Sequence, residues 1–172
     1  MPVLAFKAIK PRKLRDKDLR LELLNAVRKV GRAIEKDYKR TTKTWKDKPK
    51  FEQVISLSQP GPTVLVGTDS LIYKFVDEGT KAHEIWAGAY TGKSDKKTLA
   101  FQTGHKSKTL PGVLDARSGG KSGPWVHPPM VHHPGTEARD FTKMLEKQWK
   151  PRFKRGMEEA MVRAAKKSDH GA

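Results

Sequence analysis

Two short stretches decide the fold: YKFVDEGT at residues 73–80 and HHPGTEARDF at residues 132–141. In the first, Asp77 and Glu78 precede Gly79 at what the pattern indicates is the end of a strand, because glycine adopts the positive φ angle of a sharp stop. Neither stretch has the pattern of a catalytic site. Each predicts the end of one element and the direction of the next.

The second stretch predicts a turn followed by the last helix. Pro134 and Gly135 turn the chain, and Thr136 is placed to cap the helix, with acidic residues in the first turn. Phe141 then anchors the helix in the core. This arrangement leaves Arg139 free to form a forked contact with a carboxylate.

A long helix is predicted ahead of both motifs, from about Asp16 to Thr42. Its apolar residues recur at three- and four-residue steps and form one stripe, namely Leu19, Leu23, Val27, Val30, Ile34 and Tyr38. Basic residues occupy the other faces, and the candidate basic contact face consists of Arg28, Lys29, Arg32, Lys36, Lys39 and Arg40. Gly31 lies inside the helix, where it costs about 1 kcal/mol relative to alanine and favours close approach of another element.

Several shorter elements are predicted between the helix and the second motif. Residues 51–57 and 63–67 form a β-hairpin, and residues 71–76 fit either a strand or a short helix. Residues 81–124 form a long irregular loop with one short strand at 97–102.

Both ends of the chain also carry predicted elements. Residues 3–6 form a short first strand, and residues 125–132 extend but cannot form a central strand, because two of them are prolines without N–H donors.

The C-terminal helix carries Phe141, Leu145 and Trp149 on one face. Pro151 kinks or restarts this helix, and a weaker stripe follows at Phe153, Met157, Met161 and Ala164. We expect a single domain over residues 1–172, with a helical extension at about 151–172.

The composition excludes several classes of protein. The 172 residues include no cysteine, so disulfides, thiolate metal sites and a cysteine nucleophile are excluded. No apolar run approaches the roughly 18 residues typical of a membrane span, and the basic N-terminus lacks the order of a secretory signal. We expect no membrane partner and a protein that is made and used in a cytoplasm.

With 35% hydrophobic residues and a mean hydropathy of −0.73, a modest core supplemented by self-association fits the chain.

The net charge of +17 is concentrated at the two ends of the chain. Residues 1–50 carry +11, residues 51–138 carry +1, and residues 139–172 carry +5. This distribution predicts a neutral folded centre flanked by basic helices. Three interpretations stay open for the basic faces: a solvated surface, a nucleic-acid contact, or a contact with an acidic protein. No known nucleic-acid-binding sequence pattern is present to decide among them.

Candidate chemical sites are weak. His127, His132 and His133 lie in one proline-rich loop, but no HExxH pattern accompanies them, and zinc needs three or four tetrahedral ligands. Residues 119–122 (GGKS) lack the first glycine and the following helix of a phosphate-binding loop, and no carboxylate pair stands out. We therefore expect no metal, no cofactor and no enzymatic activity.

The two motifs resemble those of the tail-completion and head–tail joining (neck) proteins of long-tailed bacteriophages. Residues 73–80 resemble the family's Tyr-x-x-Phe-Val-Glu-x-Gly-Thr stretch, with the acidic residue shifted by one. Residues 133–141 resemble its His-Pro-Gly-x-x-Ala-Arg-Pro-Phe element, with Asp140 where proline is usual. The residues that carry the resemblance are Tyr73, Phe75, Val76, Glu78, Gly79, Thr80, His133, Pro134, Gly135, Arg139 and Phe141.

The resemblance implies an α+β fold, in which a small, mostly antiparallel sheet is packed by a long N-terminal helix and a C-terminal helix. It implies a structural virion protein that forms a homo-oligomeric ring, sixfold by this resemblance, in the neck or tail. The implied neighbours are head-connector and tail-tube proteins, with non-specific contact to phage DNA, after assembly in the host cytoplasm. The alternative function is a free basic nucleic-acid-binding protein.

Overall fold

The computed structural model describes residues 15–56, 61–88 and 97–168. Its elements, in chain order, are α1 (Asp16–Thr41), β1 (Glu52–Ser56), β2 (Thr63–Gly67), α2 (Leu71–Glu78), β3 (His83–Trp86), β4 (Phe101–Gln102), β5 (Trp125–Val126), β6 (Met130–His133) and α3 (Phe141–Lys167). The predicted strand at residues 3–6 lies outside the described residues, and so do residues 57–60 of the predicted hairpin.

The fold is α+β, as predicted, with two long helices on small antiparallel sheets. The strands form three two-stranded sheets, β1–β2, β3–β6 and β4–β5. Two parts of the predicted irregular loop at 81–124 form strands, β3 and β4. Each pairs with a strand that follows the loop, β3 with β6 and β4 with β5. A two-stranded sheet is marginally stable by itself, and the β1–β2 hairpin gains support by packing against α1.

Helix α1 confirms the predicted apolar stripe. Val27, Val30 and Tyr38 are buried, and the other stripe residues are half-buried. Gly31 lies against the β1–β2 hairpin: a Cβ atom there would collide with the Gln53 side chain and lie 2.8 Å from Val64 Cγ2. The close approach expected at this glycine therefore brings α1 onto the hairpin.

An aromatic cluster forms the core beside the C-terminal end of α1. The ring centroids of Tyr38 and Phe51 lie 5.1 Å apart, those of Phe51 and Tyr73 5.0 Å apart, and those of Tyr73 and Phe141 5.9 Å apart. Such pairs contribute about 0.5–1.5 kcal/mol each beyond simple burial. Burial raises the pKa of the Tyr38 and Tyr73 phenols, so both remain neutral in the core.

Helix α3 runs without a break through Pro151, so the predicted restart there is wrong. Contacts with α1 hold it on both sides of the proline. Before it, Trp149 Nε1 donates to Asp37 Oδ2 at 2.9 Å, and after it, Arg163 Nε donates to Glu22 Oε2 at 2.9 Å. Pro151 itself is exposed, so the backbone hydrogen bond that the helix lacks at this residue is missing at the surface and not in the core.

The second half of α3 uses small residues against α1. Ala160 and Ala164 are fully buried, whereas Met161, which the predicted stripe included, is half exposed. Gly156 faces α1 as well, since a Cβ atom there would lie 3.8 Å from Val30 Cγ2. Small side chains let the two helices approach closely, so the buried face of α3 is shifted from the one that large apolar residues suggest.

An ion cluster joins the far ends of the two long helices. The buried Glu22 of α1 accepts from Lys167 Nζ at 2.6 Å and from Arg163 Nε at 2.9 Å. These hydrogen bonds, with Lys167 the larger contributor, hold the pKa of the Glu22 carboxyl below its usual value. The carboxylate therefore stays ionised while it fastens α3 to α1.

Candidate functional site

The structure brings the two family-like motifs together into one unit, which we call the motif junction (residues 73–80 and 132–142). Thr80 N donates to Thr136 O at 2.8 Å, and Thr136 N donates to Thr80 O at 3.1 Å. The β3–β6 ladder continues this pairing, with His83 opposite His133. Segments more than fifty residues apart in sequence thus share one backbone hydrogen-bond ladder.

The first motif ends a helix: of the strand and the short helix that fitted residues 71–76, the structure has the helix, so the expected strand end at Asp77 and Glu78 is wrong. Residues 71–78 form α2, and the Ser70 hydroxyl caps it by accepting from Tyr73 N at 3.3 Å. Gly79 ends α2 with a φ angle of 77°. The period of a strand and that of a single helical turn are hard to separate in so short an apolar run.

The second motif satisfies the open end of α2. The backbone N–H of Arg139 lies 3.1 Å from the carbonyl oxygens of both Val76 and Asp77, and Asp140 N donates to Asp77 O at 3.0 Å. The last carbonyls of a helix have no partner within the helix and need one from elsewhere. The HPGTEARD segment therefore acts as the C-terminal cap of α2.

Capping is reciprocal, because Asp77 of the first motif caps α3. Its carboxylate accepts from Thr142 N at 3.2 Å and from Thr142 Oγ1 at 2.5 Å. The predicted cap at Thr136 is wrong: α3 begins at Phe141, after Asp140 in the left-handed region with φ 54°. Sequence reasoning missed Asp77 because a cap is normally sought next to its helix, and this one lies 65 residues away.

Two glycines allow the motif segments to touch. At Gly79, a Cβ atom would lie 2.6 Å from Thr136 O and 2.8 Å from Ala138 N. At Gly135, with φ 95°, it would collide with the Thr80 carbonyl oxygen. Both glycines are therefore required by backbone-to-backbone contact as well as by their own φ angles.

Arg139 is buried, so the prediction of a free guanidinium is wrong. Its Nε donates to Thr109 Oγ1 at 3.3 Å, and its Nη2 donates to Ser107 Oγ at 3.3 Å. The nearest carboxylate, that of the exposed Glu137, lies 3.8 Å from Nη1. The Arg139 guanidinium thus fastens the loop segment that contains Ser107 and Thr109 to the motif junction. It is not left free to bind the carboxylate of another molecule.

The histidines near the motif junction support the backbone. The His83 and His133 rings stack with centroids 5.1 Å apart. His83 Nδ1 donates to Lys81 O at 2.8 Å, and His133 Nδ1 accepts from Gly135 N at 3.0 Å. Within the described ranges, no group of three or more His, Cys, Asp or Glu residues is arranged to hold a metal ion.

The remaining motif residues divide between core and surface. Tyr73 and Phe141 lie in the aromatic cluster, and Val76 packs against it half-buried. Phe75 is 42% exposed, and Glu78 and Pro134 are also exposed. Most of the motif therefore builds the fold, and only its outer side chains are available to another molecule.

The candidate basic face on α1 is exposed at all six positions, and its residues differ in their partners. Lys39 pairs with Glu35 at 2.5 Å, and Arg40 forms a two-pronged contact with Asp115, whose pKa it lowers. The other four, Arg28, Lys29, Arg32 and Lys36, have no ion pair with any residue that the structure describes.

Two shallow depressions run along this face. One has a volume of about 430 Å³ and the other about 740 Å³, and they lie next to each other on α1, since both are lined by Ala33 and Lys36. We call the two depressions together the α1 trough. Its basic lining residues are Arg28, Lys29, Arg32, Lys36, Lys39, Arg40, Lys43 and Arg152. Six of the eight belong to the basic face that was predicted from the sequence. The other two are Lys43, which lies just past the end of α1, and Arg152, which lies on α3.

Two further groups of exposed side chains are apolar, one on the hairpin and one on α2, and we call the two groups together the exposed apolar surface. On the outer face of the hairpin, Val54 and Leu65 are directly opposite each other and are 62% and 68% exposed. Helix α2 presents Leu71, Ile72 and Phe75 to solvent, at positions three and four residues apart on one face. Exposed apolar groupings of this kind mark contact surfaces more often than isolated residues do.

Searches of protein-family models, of curated proteins and of solved structures found no match to this chain. In residues 15–56, 61–88 and 97–168, no helix combines the length and the apolar character needed to cross a membrane.

Proposed function

We propose that this chain is a structural virion assembly protein that forms a closed ring, of about six copies, at the head–tail junction of a long-tailed bacteriophage. The neighbouring partners in this proposal are the head-connector and tail-tube proteins. The motif resemblance supplies the class of protein, and the exposed apolar surface of the hairpin and α2 supplies the physical reason for assembly.

The exposed apolar surface is the observation that carries the proposal. Val54 and Leu65 stand side by side on a face that no described residue covers, and α2 adds three further apolar side chains. Each such side chain is stabilised by about 1.5–3 kcal/mol when it moves from water to a fully buried contact. A cyclic ring buries one surface of each copy against a different surface of the next.

The motif junction supports the same proposal. The Asp77 carboxylate and the backbone N–H groups of Arg139 and Asp140 cap helix ends, and the Arg139 side chain holds a loop, so the junction ties α2 to α3. A rigid relation between elements suits a part whose work is to present surfaces to neighbouring subunits.

Light scattering of the purified chain over a range of concentrations tests the proposal. We expect a discrete mass of about six copies at moderate salt. The double change Leu65→Ser and Ile72→Ser should reduce the mass toward that of one copy. The matched control, Met161→Ser and Val162→Ser, removes two apolar side chains of similar exposure from α3 and should leave the mass unchanged.

A chain that stays monomeric at every concentration would contradict self-assembly. An oligomer that both double variants weaken equally would contradict the assignment of the interface to the hairpin and α2. Electron microscopy of the oligomer supplies the copy number, and an open filament instead of a closed ring would also contradict the proposal.

A further inference from the structure

We infer that the α1 trough binds the phosphate backbone of duplex DNA without reading its sequence. This site goes beyond the ring proposal and lies on residues other than the apolar surface. Three features of the trough support DNA binding: its charge, its length, and the absence of a base-stacking surface among its described lining residues.

The charge of the trough is almost entirely of one sign. Among the residues that the structure describes, eight Lys and Arg residues line it, and Asp37 is the one acidic lining residue. The Asp37 carboxylate is already occupied, because Oδ2 accepts from Trp149 Nε1 at 2.9 Å and from Gln148 Nε2 at 3.3 Å. Six of the eight cations have no ion pair among the described residues, and only Lys39 and Arg40 have one. The trough thus attracts a polyanion and gives up few existing contacts to bind it.

The length of the trough suits an extended polyanion. Along α1, Arg28, Arg32, Lys36 and Arg40 recur every four residues, which places one cation about every 6 Å over about 18 Å. Phosphates along one DNA strand advance by about 3.4 Å each along the helix axis. The row therefore spans about five phosphates and sets four cations against them.

Within residues 15–56, 61–88 and 97–168, no aromatic side chain presents a free face to the trough. Trp149 is the one aromatic residue among the described lining residues, it is half-buried, and the Arg152 guanidinium lies 5.2 Å from its ring centroid. Proteins that prefer single strands stack bases on open aromatic side chains. Without such a platform, the contact is with phosphates, which favours the duplex because of its higher charge density.

The two helices hold the trough in a fixed shape before any ligand arrives. Asp37 of α1 is bonded to Gln148 and Trp149 of α3, and Arg40 is bonded to Asp115 in the central loop. A preformed row of cations loses less conformational freedom on binding than a flexible basic tail does.

Fluorescence anisotropy with labelled duplexes of about 20 base pairs tests the inference. We expect two duplexes of unrelated sequence to bind equally, and more tightly than one of their strands alone. The slope of log affinity against log salt concentration should be about −3.6, as expected when the four cations of the row each neutralise one phosphate at about 0.9 per contact.

A pair of triple variants locates the site. Arg28→Ala, Arg32→Ala and Lys36→Ala together should weaken duplex binding at least tenfold and reduce the salt slope by about 2.5. The control triple Lys74→Ala, Lys81→Ala and Lys121→Ala removes the same charge from exposed positions outside the trough. It should change the affinity less than twofold. Circular dichroism checks that both variants remain folded.

Three results would overturn the inference: no duplex binding at low salt, an equal loss in both triple variants, or tighter binding of a poly-glutamate competitor than of the duplex. The last of these would identify an acidic protein surface as the ligand.

Light scattering of the trough variant separates this inference from the ring proposal. Loss of DNA binding with the oligomer intact supports the trough, whereas an oligomer that falls apart with these three changes makes this face a subunit interface and refutes the inference.

Discussion

Replacing Gly135 by alanine measures how closely the two motif segments approach. The substitution adds one methyl group at a φ angle of 95°, where the new Cβ would collide with the Thr80 carbonyl oxygen. It would also lie 3.0 Å from the carbonyl carbon of Lys81 and 3.1 Å from Ala82 N. All three atoms belong to the backbone, so none can rotate away as a flexible side chain would.

Gly112→Ala is the matched control. Gly112 also has a positive φ angle, of 70°, but a Cβ atom there has nothing within 4 Å. Both variants therefore have the cost of placing alanine in the left-handed region, about 1 kcal/mol, partly offset by the lower entropy of the unfolded chain. Only Gly135→Ala adds the steric cost of displacing backbone, which is about 1–3 kcal/mol.

We expect Gly112→Ala to lower the free energy of unfolding by about 0.5–1 kcal/mol and Gly135→Ala to lower it by about 2–4 kcal/mol. For a domain of this size, the second value corresponds to a fall in Tm of about 5–15 °C, against about 1–4 °C for the control. Urea titration and thermal melts followed by circular dichroism give both quantities. Losses that agree within about 0.5 kcal/mol would refute the close contact between the motifs.

Three further substitutions test other contacts. Pro151→Ala should raise the free energy of unfolding by about 1–3 kcal/mol, measured by urea titration, because it restores a backbone donor inside a continuous, exposed helix. Glu22→Gln should lower it by about 1–2 kcal/mol at pH 7. Because hydrogen bonds from Lys167 and Arg163 depress the folded-state pKa of Glu22, its stabilisation is complete above the unfolded value of about 4.5 and is lost as the pH falls through the folded value. The two proteins should therefore converge as the solution is acidified, and a difference in stability that stays constant would contradict this linkage. Arg139→Lys should cost about 1–2 kcal/mol and speed limited proteolysis in the loop that its fork holds, with helix content unchanged; unaltered cleavage would show that the fork does not restrain the loop.

The elements of this protein could largely be predicted from local pattern. Helix α1 ends within one residue of the prediction, and β1 and β2 lie where the alternation indicated. These predictions succeeded because a helical stripe and a hairpin are recorded in residues a few positions apart. For the same reason, the six basic residues on α1 are exposed as expected, since charged side chains opposite an apolar stripe face solvent.

The errors occurred where the partner is distant in sequence. Thr136 has the residue type of a helix cap, yet Asp77 caps α3 because the ladder between Thr80 and Thr136 brings it there. Arg139 looked free because Ser107 and Thr109 give no local sign that they will reach it. Local propensity is weak compared with a tertiary contact that satisfies a buried polar group.

The sequence by itself determined the apolar stripe of α1 and the concentration of positive charge at the ends of the chain, whereas the class of fold was implied by the resemblance of the two motifs. The stripe and the charge distribution are properties of short-range periodicity and composition, so they do not depend on which distant segments meet. Only the tertiary structure decided that the two motifs cap each other's helices, and that α1 and α3 together form one basic trough. Both depend on the meeting of segments far apart in sequence, which is set by the combined burial and hydrogen bonding of the whole chain and not by any local pattern.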